Sequence, residues 1–283
     1  MAGLRLENYR AFLVDLDGVL VRGGEPLPGA AEALRELKEI GRVVVFSNNS
    51  TRSRRRFAAR LSGLGFKIKL EEIVNSAYIV AQHILKSAGP SKVYTIGEEG
   101  LREELELAGH RLAEPEEAEF LVVGMDRELS YKKLARALLA LLRGAHFVAT
   151  NADRTFPTPQ GLLPGAGAVV GAIEGMGFPP EAVVGKPSKV AFMVAMEAAG
   201  VGGPRESLLI GDRLETDILG AAWVGMDSAL VLTGVTGRED VERGDPKHTW
   251  VTESLATLVG VKPGEDRSPP GSGGPVPPSP RRP

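Results

Sequence analysis

Two aspartates two residues apart, Asp15 and Asp17, close the apolar run in AFLVDLDGV, and Gly18 follows at once. On an extended chain an i, i+2 spacing turns both side chains to one side. Carboxylates that close repel, so either a cation lies between them or one of the two keeps a proton. A second acidic pair, Asp212 and Asp217 in LLIGDRLETDI, follows another apolar run. The chain between the pairs supplies Ser47, Asn48 and Asn49 in FSNNSTRS and a lysine, Lys186, in VVGKPSKV. Hydroxyl, amide and backbone donors just ahead of a helix form a natural anion site. Two acidic pairs with a hydroxyl and a lysine suit a hard cation handling a phosphate. Oxygen ligands without histidine or cysteine favour Mg²⁺ over zinc. The chain has no cysteine, and His83, His110, His146 and His248 are scattered without metal-ligand spacing.

These residues need strands to present them. Eight short, valine-rich runs fit: 12–17, 42–49, 92–97, 119–126, 146–151, 182–186, 207–212 and 228–234. Each is closed by a turn or polar residue, as strands buried on both faces are. Helical stretches lie between most of them. In SYKKLARALLALLRG, Leu134, Leu138, Leu141 and Leu142 recur with helical period, Ser130 suits the N-cap and Gly144 the stop. Strand–helix alternation predicts an α/β fold built on parallel sheets. In such sheets ligands collect beyond the carboxyl ends of strands, where Asp15, Ser47, Lys186 and Asp212 fall. Pro187 suits the first turn of the helix that follows. The runs between about 80 and 180 lack such residues. The predicted architecture is therefore a core (1–79 and 181–260) interrupted by an inserted domain (80–180), followed by a tail (261–283) rich in proline, glycine and serine that reads as disordered.

With 283 residues, 43% of them hydrophobic, the chain suits about two domains. Lys+Arg number 34 and Asp+Glu 36, so the net charge is −2 and no global field points to nucleic acid or an anionic membrane. There is no run of about 18 apolar residues and no signal-peptide core at the N-terminus, which predicts a cytoplasmic protein. The basic run TRSRRR (51–56) reads as a solvated helix face with salt bridges. GAGAVVG (165–171) has neither the spacing nor the preceding strand of a dinucleotide fingerprint.

Taken together, DLDGV, the strand-end Ser47, Lys186 and GDRLETD resemble the four ordered motifs of the haloacid dehalogenase superfamily of phosphatases. LPGAAEAL, SNNSTRS, VATNAD, PGAGAVVGAIE, VGKPS and GMDSALVLTGVT resemble the branch with a large α/β cap between the second and third motifs. That branch holds NagD-like nucleotide and sugar phosphatases, 4-nitrophenylphosphatases and phosphoglycolate phosphatases. The resemblance runs from about residue 10 to 255. It implies a Rossmann-like, doubly wound parallel core with an inserted α/β cap, a Mg²⁺ cofactor, a small phosphomonoester as substrate and, through the cap, a possible homodimer. Asp15 is then the nucleophile that forms an aspartyl-phosphate. Asp17 is the acid that protonates the leaving alcohol and the base that activates water, and a neighbouring charge helps hold the two pKa values apart. The metal falls to Asp15, Asp212 and the carbonyl of Asp17, with Asp217 orienting its waters or Lys186. Ser47, Asn48, Asn49 and Lys186 hold the phosphoryl oxygens.

Those motifs meet only groups that every phosphomonoester shares, so substrate choice must lie in the insertion. The segment 150–161, expected as a loop, brings together Asn151, Asp153, Arg154 and Phe156. Two other functions fit the same residues. A phosphotransferase or mutase would use this site with water kept out, and a phospho-receiver signalling module would share the aspartates, hydroxyl and lysine without a cap.

Overall fold

The computed structural model describes residues 4–158, 161–243 and 249–261. The expected disordered tail lies outside the described residues except for Val261, as does His248.

Six parallel strands form the larger sheet, in the order Thr249–Thr252, Asp227–Val231, Ser207–Gly211, Ala11–Val14, Arg42–Ser47, Ile73–Asn75. Numbered within this sheet along the chain, the order is 6-5-4-1-2-3, the doubly wound arrangement, and it reverses between Ala11–Val14 and Ser207–Gly211. The sequence dictates both faces. Phe12 and Val14 join one apolar cluster with Leu34, Leu37, Phe57 and Leu61. Ala11 and Leu13 join the other, with Phe46, Phe192 and Leu209. A strand buried on both faces has no polar alternation to show, which is why these runs read as continuous.

A second sheet of five parallel strands has the order Ala182–Val183, His146–Ala149, Phe120–Val123, Lys92–Ile96, Arg111–Leu112. The two sheets are not separate bodies. The apolar cluster behind Leu13 and Phe46 continues through Val93, Leu101, Val122, Val148 and Val184 of the second unit.

All eight expected runs contain strands, but several details differ from expectation. The strand Ala182–Val183 pairs with His146–Ala149, so it closes the inserted sheet instead of opening the second half of the core. The boundary expected at 79/80 falls inside the helix Ser76–Ala88. Pro187 precedes the helix Lys189–Ala199, whose N-cap is Ser188. The segment expected as a loop after 150 instead forms an antiparallel hairpin, Thr155–Thr158 against Gly161–Pro164. In the helix Tyr131–Leu142, Ser130 does cap, accepting from the Lys133 N–H. However, Ala137, Ala140 and Leu141 are buried while Leu142 is exposed. Among the described residues no helix is long and apolar enough to cross a membrane.

Candidate active site

The crevice where the strand order reverses lies beyond Val14 and Gly211, and the next residues along these strands are Asp15 and Asp212. A turn of π-helix, Leu214–Ile218, then brings Asp217 back. Its Oδ2 accepts from the N–H of Arg213 at 3.2 Å. Carboxylate oxygens of Asp15, Asp212 and Asp217 all lie within 4.8 Å of one another. Two unit charges about 4 Å apart oppose each other by roughly 4 kcal/mol at an effective dielectric of 20, so three buried carboxylates need cations.

Lys186 supplies one. Its Nζ donates to Asp15 Oδ1 at 2.5 Å, to Asp217 Oδ1 at 2.7 Å and to the carbonyl of Phe46 at 3.0 Å. Burial alone would lower the lysine's pKa, but Asp15 and Asp217 outweigh it and hold the ammonium more firmly than usual. Both oxygens of Asp217 are therefore engaged, one by Lys186 and one by the main chain.

Asp212 is different. Its Oδ2 accepts from the N–H of Val235 at 2.7 Å, whereas its Oδ1 is buried and has no hydrogen-bond partner among the described residues. An orphaned buried acceptor costs about 1–3 kcal/mol, more when charged. A divalent cation would satisfy it, so this donor set fits a hard metal ion held by Asp15 and Asp212. The backbone is shaped around the same carboxylate. A Cβ built on Gly234 would stand 1.8 Å from Asp212 Oδ2, and one on Gly18, whose φ is +91°, 2.4 Å away.

The side chain of Asp15 is 10% exposed and that of Asp217 1%, which leaves Asp15 the more open of the pair held by Lys186. Burial raises the Asp15 carboxyl; Lys186 works against this, and Asp217 and Asp212 add to it. Asp17 stands apart from the three. It is solvent-exposed as a residue, yet desolvation by the protein around it raises its pKa against the pull of Arg60, Lys186, Arg213 and Arg52. A carboxyl raised in this way, open to water and ringed by cations, can hold a proton and give it up.

The remaining expected site residues divide. Ser47 is buried at the end of its strand, its Oγ accepting from the N–H of Asn49 at 3.2 Å. Asn49 Oδ1 accepts from the N–H and hydroxyl of Thr51, so its side-chain oxygen closes a local turn. Asn48, expected on the phosphate, has its amide committed to Lys186 and Asp153. Asn151 and Asp153, expected to select substrate, are bonded to Asn48, whereas Arg154 directly precedes the hairpin and Phe156 lies in its first strand.

The salt bridges expected of the basic run form, and their partners lie in the insertion. Arg54 donates through its Nε and N–H to the buried Glu104, and its guanidinium lies 3.7 Å over the ring of Tyr78. Arg55 pairs with Glu103, and Arg56 with Glu99 and Glu103. The run is a seam between the core and the inserted helix Glu99–Leu107. Its signal was the complementary acidic run EEGLREELE (98–106).

Residues 12–111 match the profile of haloacid dehalogenase-like hydrolases, and residues 183–258 a second profile of the same kind. The chain is 36% identical to the 5'-nucleotidase YutF of Bacillus subtilis, over 90% of this chain and 99% of that protein. Its structure is similar to the p-nitrophenyl phosphatase of Archaeoglobus fulgidus, with a TM-score of 0.84 and 38% identity over 89% of this chain and 99% of that one. It also matches a glycerol phosphate phosphatase of Mycobacterium tuberculosis solved with magnesium, with a TM-score of 0.81 and 33% identity over 89% of this chain and 77% of that one. The chain belongs to the haloacid dehalogenase-like hydrolase family. Within it, the chain falls in the NagD-like phosphatases, phosphoric monoester hydrolases with a Rossmann-like core and an inserted α/β cap.

The site's electrostatics predict a pH effect. Burial and the Asp217 carboxylate push Asp212 up to about 7 from its ordinary 3.8. Without metal the folded chain therefore holds a proton between these values that the unfolded chain lacks, and its stability falls as pH rises through that window. A cation needs the carboxylate ionised. Mg²⁺ binding should thus release protons at pH 6.5, and its affinity should climb with pH and level off above about 7. Titration calorimetry in two buffers of different ionisation heat measures this, and equal heats in both would rule it out.

Proposed function

We propose that the protein is a Mg²⁺-dependent phosphatase of small phosphomonoesters, of the nucleotide, sugar phosphate, phosphoglycolate or 4-nitrophenyl phosphate class. The carrying observation is the orphaned oxygen of Asp212 within a carboxylate trio that Lys186 only partly neutralises. Asp15 and Asp212 would hold the ion, which would supply positive charge against the incoming phosphate. A carboxylate about 4 Å from a phosphate dianion is otherwise opposed by roughly 8 kcal/mol at an effective dielectric of 20. Asp15 Oδ attacks phosphorus in line, and the bond to the ester oxygen breaks. Asp17 gives its proton to that departing oxygen, then takes one from the water that opens the aspartyl-phosphate. Ser47 and the backbone beside it face the phosphoryl oxygens.

The same site on a phosphotransferase would need water excluded until an acceptor alcohol arrived. The exposure of Asp17 favours hydrolysis, because water reaches the group that must activate it. We keep a cap-mediated homodimer within this reading; sedimentation velocity decides it, and a monomer rules it out.

Asp17→Asn tests the acid role. The loss should be about 10²–10⁴-fold for alkyl phosphates such as sugar phosphates, and much smaller for 4-nitrophenyl phosphate in its first step. Nitrophenolate departs without a proton, so a burst of it should precede slow turnover. Equal losses on both substrates with no burst would sink the assignment.

A further inference from the structure

We infer that Asn48 is a positioning residue that couples the seat of the cap to the catalytic lysine, with Asn151 and Asp153 acting through it and not on the substrate. The inference rests on the phosphatase reading above, in which Lys186 is part of the machinery.

Asn48 directly follows Ser47 at the end of its strand. Its Oδ1 accepts from the main-chain N–H of Lys186 at 2.8 Å, and its Nδ2 donates to the main-chain carbonyl of Lys186 at 3.0 Å. The same Nδ2 lies 3.2 Å from both carboxylate oxygens of Asp153. Its own carbonyl accepts from Ser76 Oγ at 2.5 Å and from Asn151 Nδ2 at 2.8 Å. Asn151 Oδ1 in turn accepts from the N–H of Asp153 at 3.1 Å. One core residue thus ties together the start of the helix leading into the cap, the turn after the cap strand His146–Ala149, and the return at Lys186.

The chemistry selects asparagine. Gripping both main-chain groups of one residue takes an acceptor and a donor on one short fork, and facing a carboxylate as well takes a second N–H. Aspartate has no donor, and glutamine is a methylene longer. The amide can face only one way: reversed, its oxygen would meet the Asp153 carboxylate and its N–H the N–H of Lys186. Nor is there slack. A Cβ on Gly185 would stand 2.4 Å from the carbonyl of Thr150 and 2.7 Å from Asn48 Oδ1. Burial raises the Asp153 carboxyl, which the Asn48 bond partly offsets. From the cap turn the contacts run Asp153, Asn48, the Lys186 main chain, then Lys186 Nζ to Asp15. A shift of the turn therefore moves the group that holds the nucleophile.

Kinetics on 4-nitrophenyl phosphate with Mg²⁺ test this. A misplacement of about 1 Å costs on the order of 100-fold. Asn48→Ala and Asn48→Asp should each lower kcat by about that factor while KM moves less than about threefold. Asp153→Asn added to Asn48→Asp restores an amide–carboxylate contact in the opposite sense, and should recover about tenfold of the lost kcat, since one of the two ties is remade. A variant that merely loosened the fold would show no such rescue. Should Asn48→Ala fail to fold, the Asn48→Asp pair still reads the coupling. The inference is overturned if kcat of both single variants stays within threefold of the parent, if Asp153→Asn rescues nothing, or if the loss lies in KM alone, which would put Asn48 on the substrate. An inactive parent would instead remove the phosphatase reading and this inference with it.

Discussion

Replacing Asp15 by asparagine is expected to lower turnover by at least about 10⁴-fold, some 5.4 kcal/mol of barrier, with the fold intact. The amide cannot form an acyl phosphate, and no other carboxylate can take its place. Asp217 is held on both oxygens by Lys186 and the Arg213 N–H, and Asp212 is deeper in the site. Stability should not suffer, because the change removes one of three crowded buried charges. Lys186 keeps Asp217 and the carbonyl of Phe46 as acceptors. The measurement is release of 4-nitrophenolate beside a thermal melt of both proteins. More than about 1% residual activity with an unchanged melt would reject Asp15 as nucleophile, two decades of rate being far less than covalent catalysis contributes.

The second large effect is expected at Asp212. Changing it to alanine removes both the orphaned Oδ1 and the oxygen bound to the Val235 N–H. Mutating the partners that merely orient metal ligands costs about 10–100-fold in metal affinity, so losing a direct ligand should cost at least about 100-fold. Activity at millimolar Mg²⁺ should collapse, as it should for the parent protein treated with a chelator. Only the chelated parent should recover fully when Mg²⁺ returns. Asp217→Asn makes the contrast: it keeps an acceptor for Lys186, so it should weaken Mg²⁺ less than Asp212→Ala. Full activity of chelated parent protein would remove the metal from the reaction.

Much of this was legible before any coordinates. The strands that present Asp15, Ser47 and Asp212 are continuous valine-rich runs, because each is buried on both faces and flanked by a turn. What escaped reading was short or relational. Ile73–Asn75 is three residues long, too few for a period, and Arg111–Leu112 and Thr249–Thr252 lie on sheet edges. The leucine period of the helix Tyr131–Leu142 includes the exposed Leu142, because Ala137 and Ala140 carry much of the buried face and alanine gives a weak periodic signal. Asn48 was expected on the phosphate from its donors and the family resemblance together. Nothing local reveals that residues 105 and 138 positions away already engage its side-chain amide. Lys186 was legible through its place among the four motifs, whereas its pairing with Asp15 and Asp217 is set only by the fold.

The two crossings between core and cap are unlike, which limits how interchangeable the parts are. The outward crossing is one unbroken helix, Ser76–Ala88, while the return is only Val184 and Gly185, between the last cap strand and Lys186. A chimaera cut at the apparent junctions near 80 and 180 would divide that helix and leave the donor cap without its edge strand. A transplant must therefore carry everything from Ser76 to Val184, together with a helix whose acids match the arginines at 54–56. The unit that can be exchanged is the cap with its seam, joined to a core that already holds Asn48.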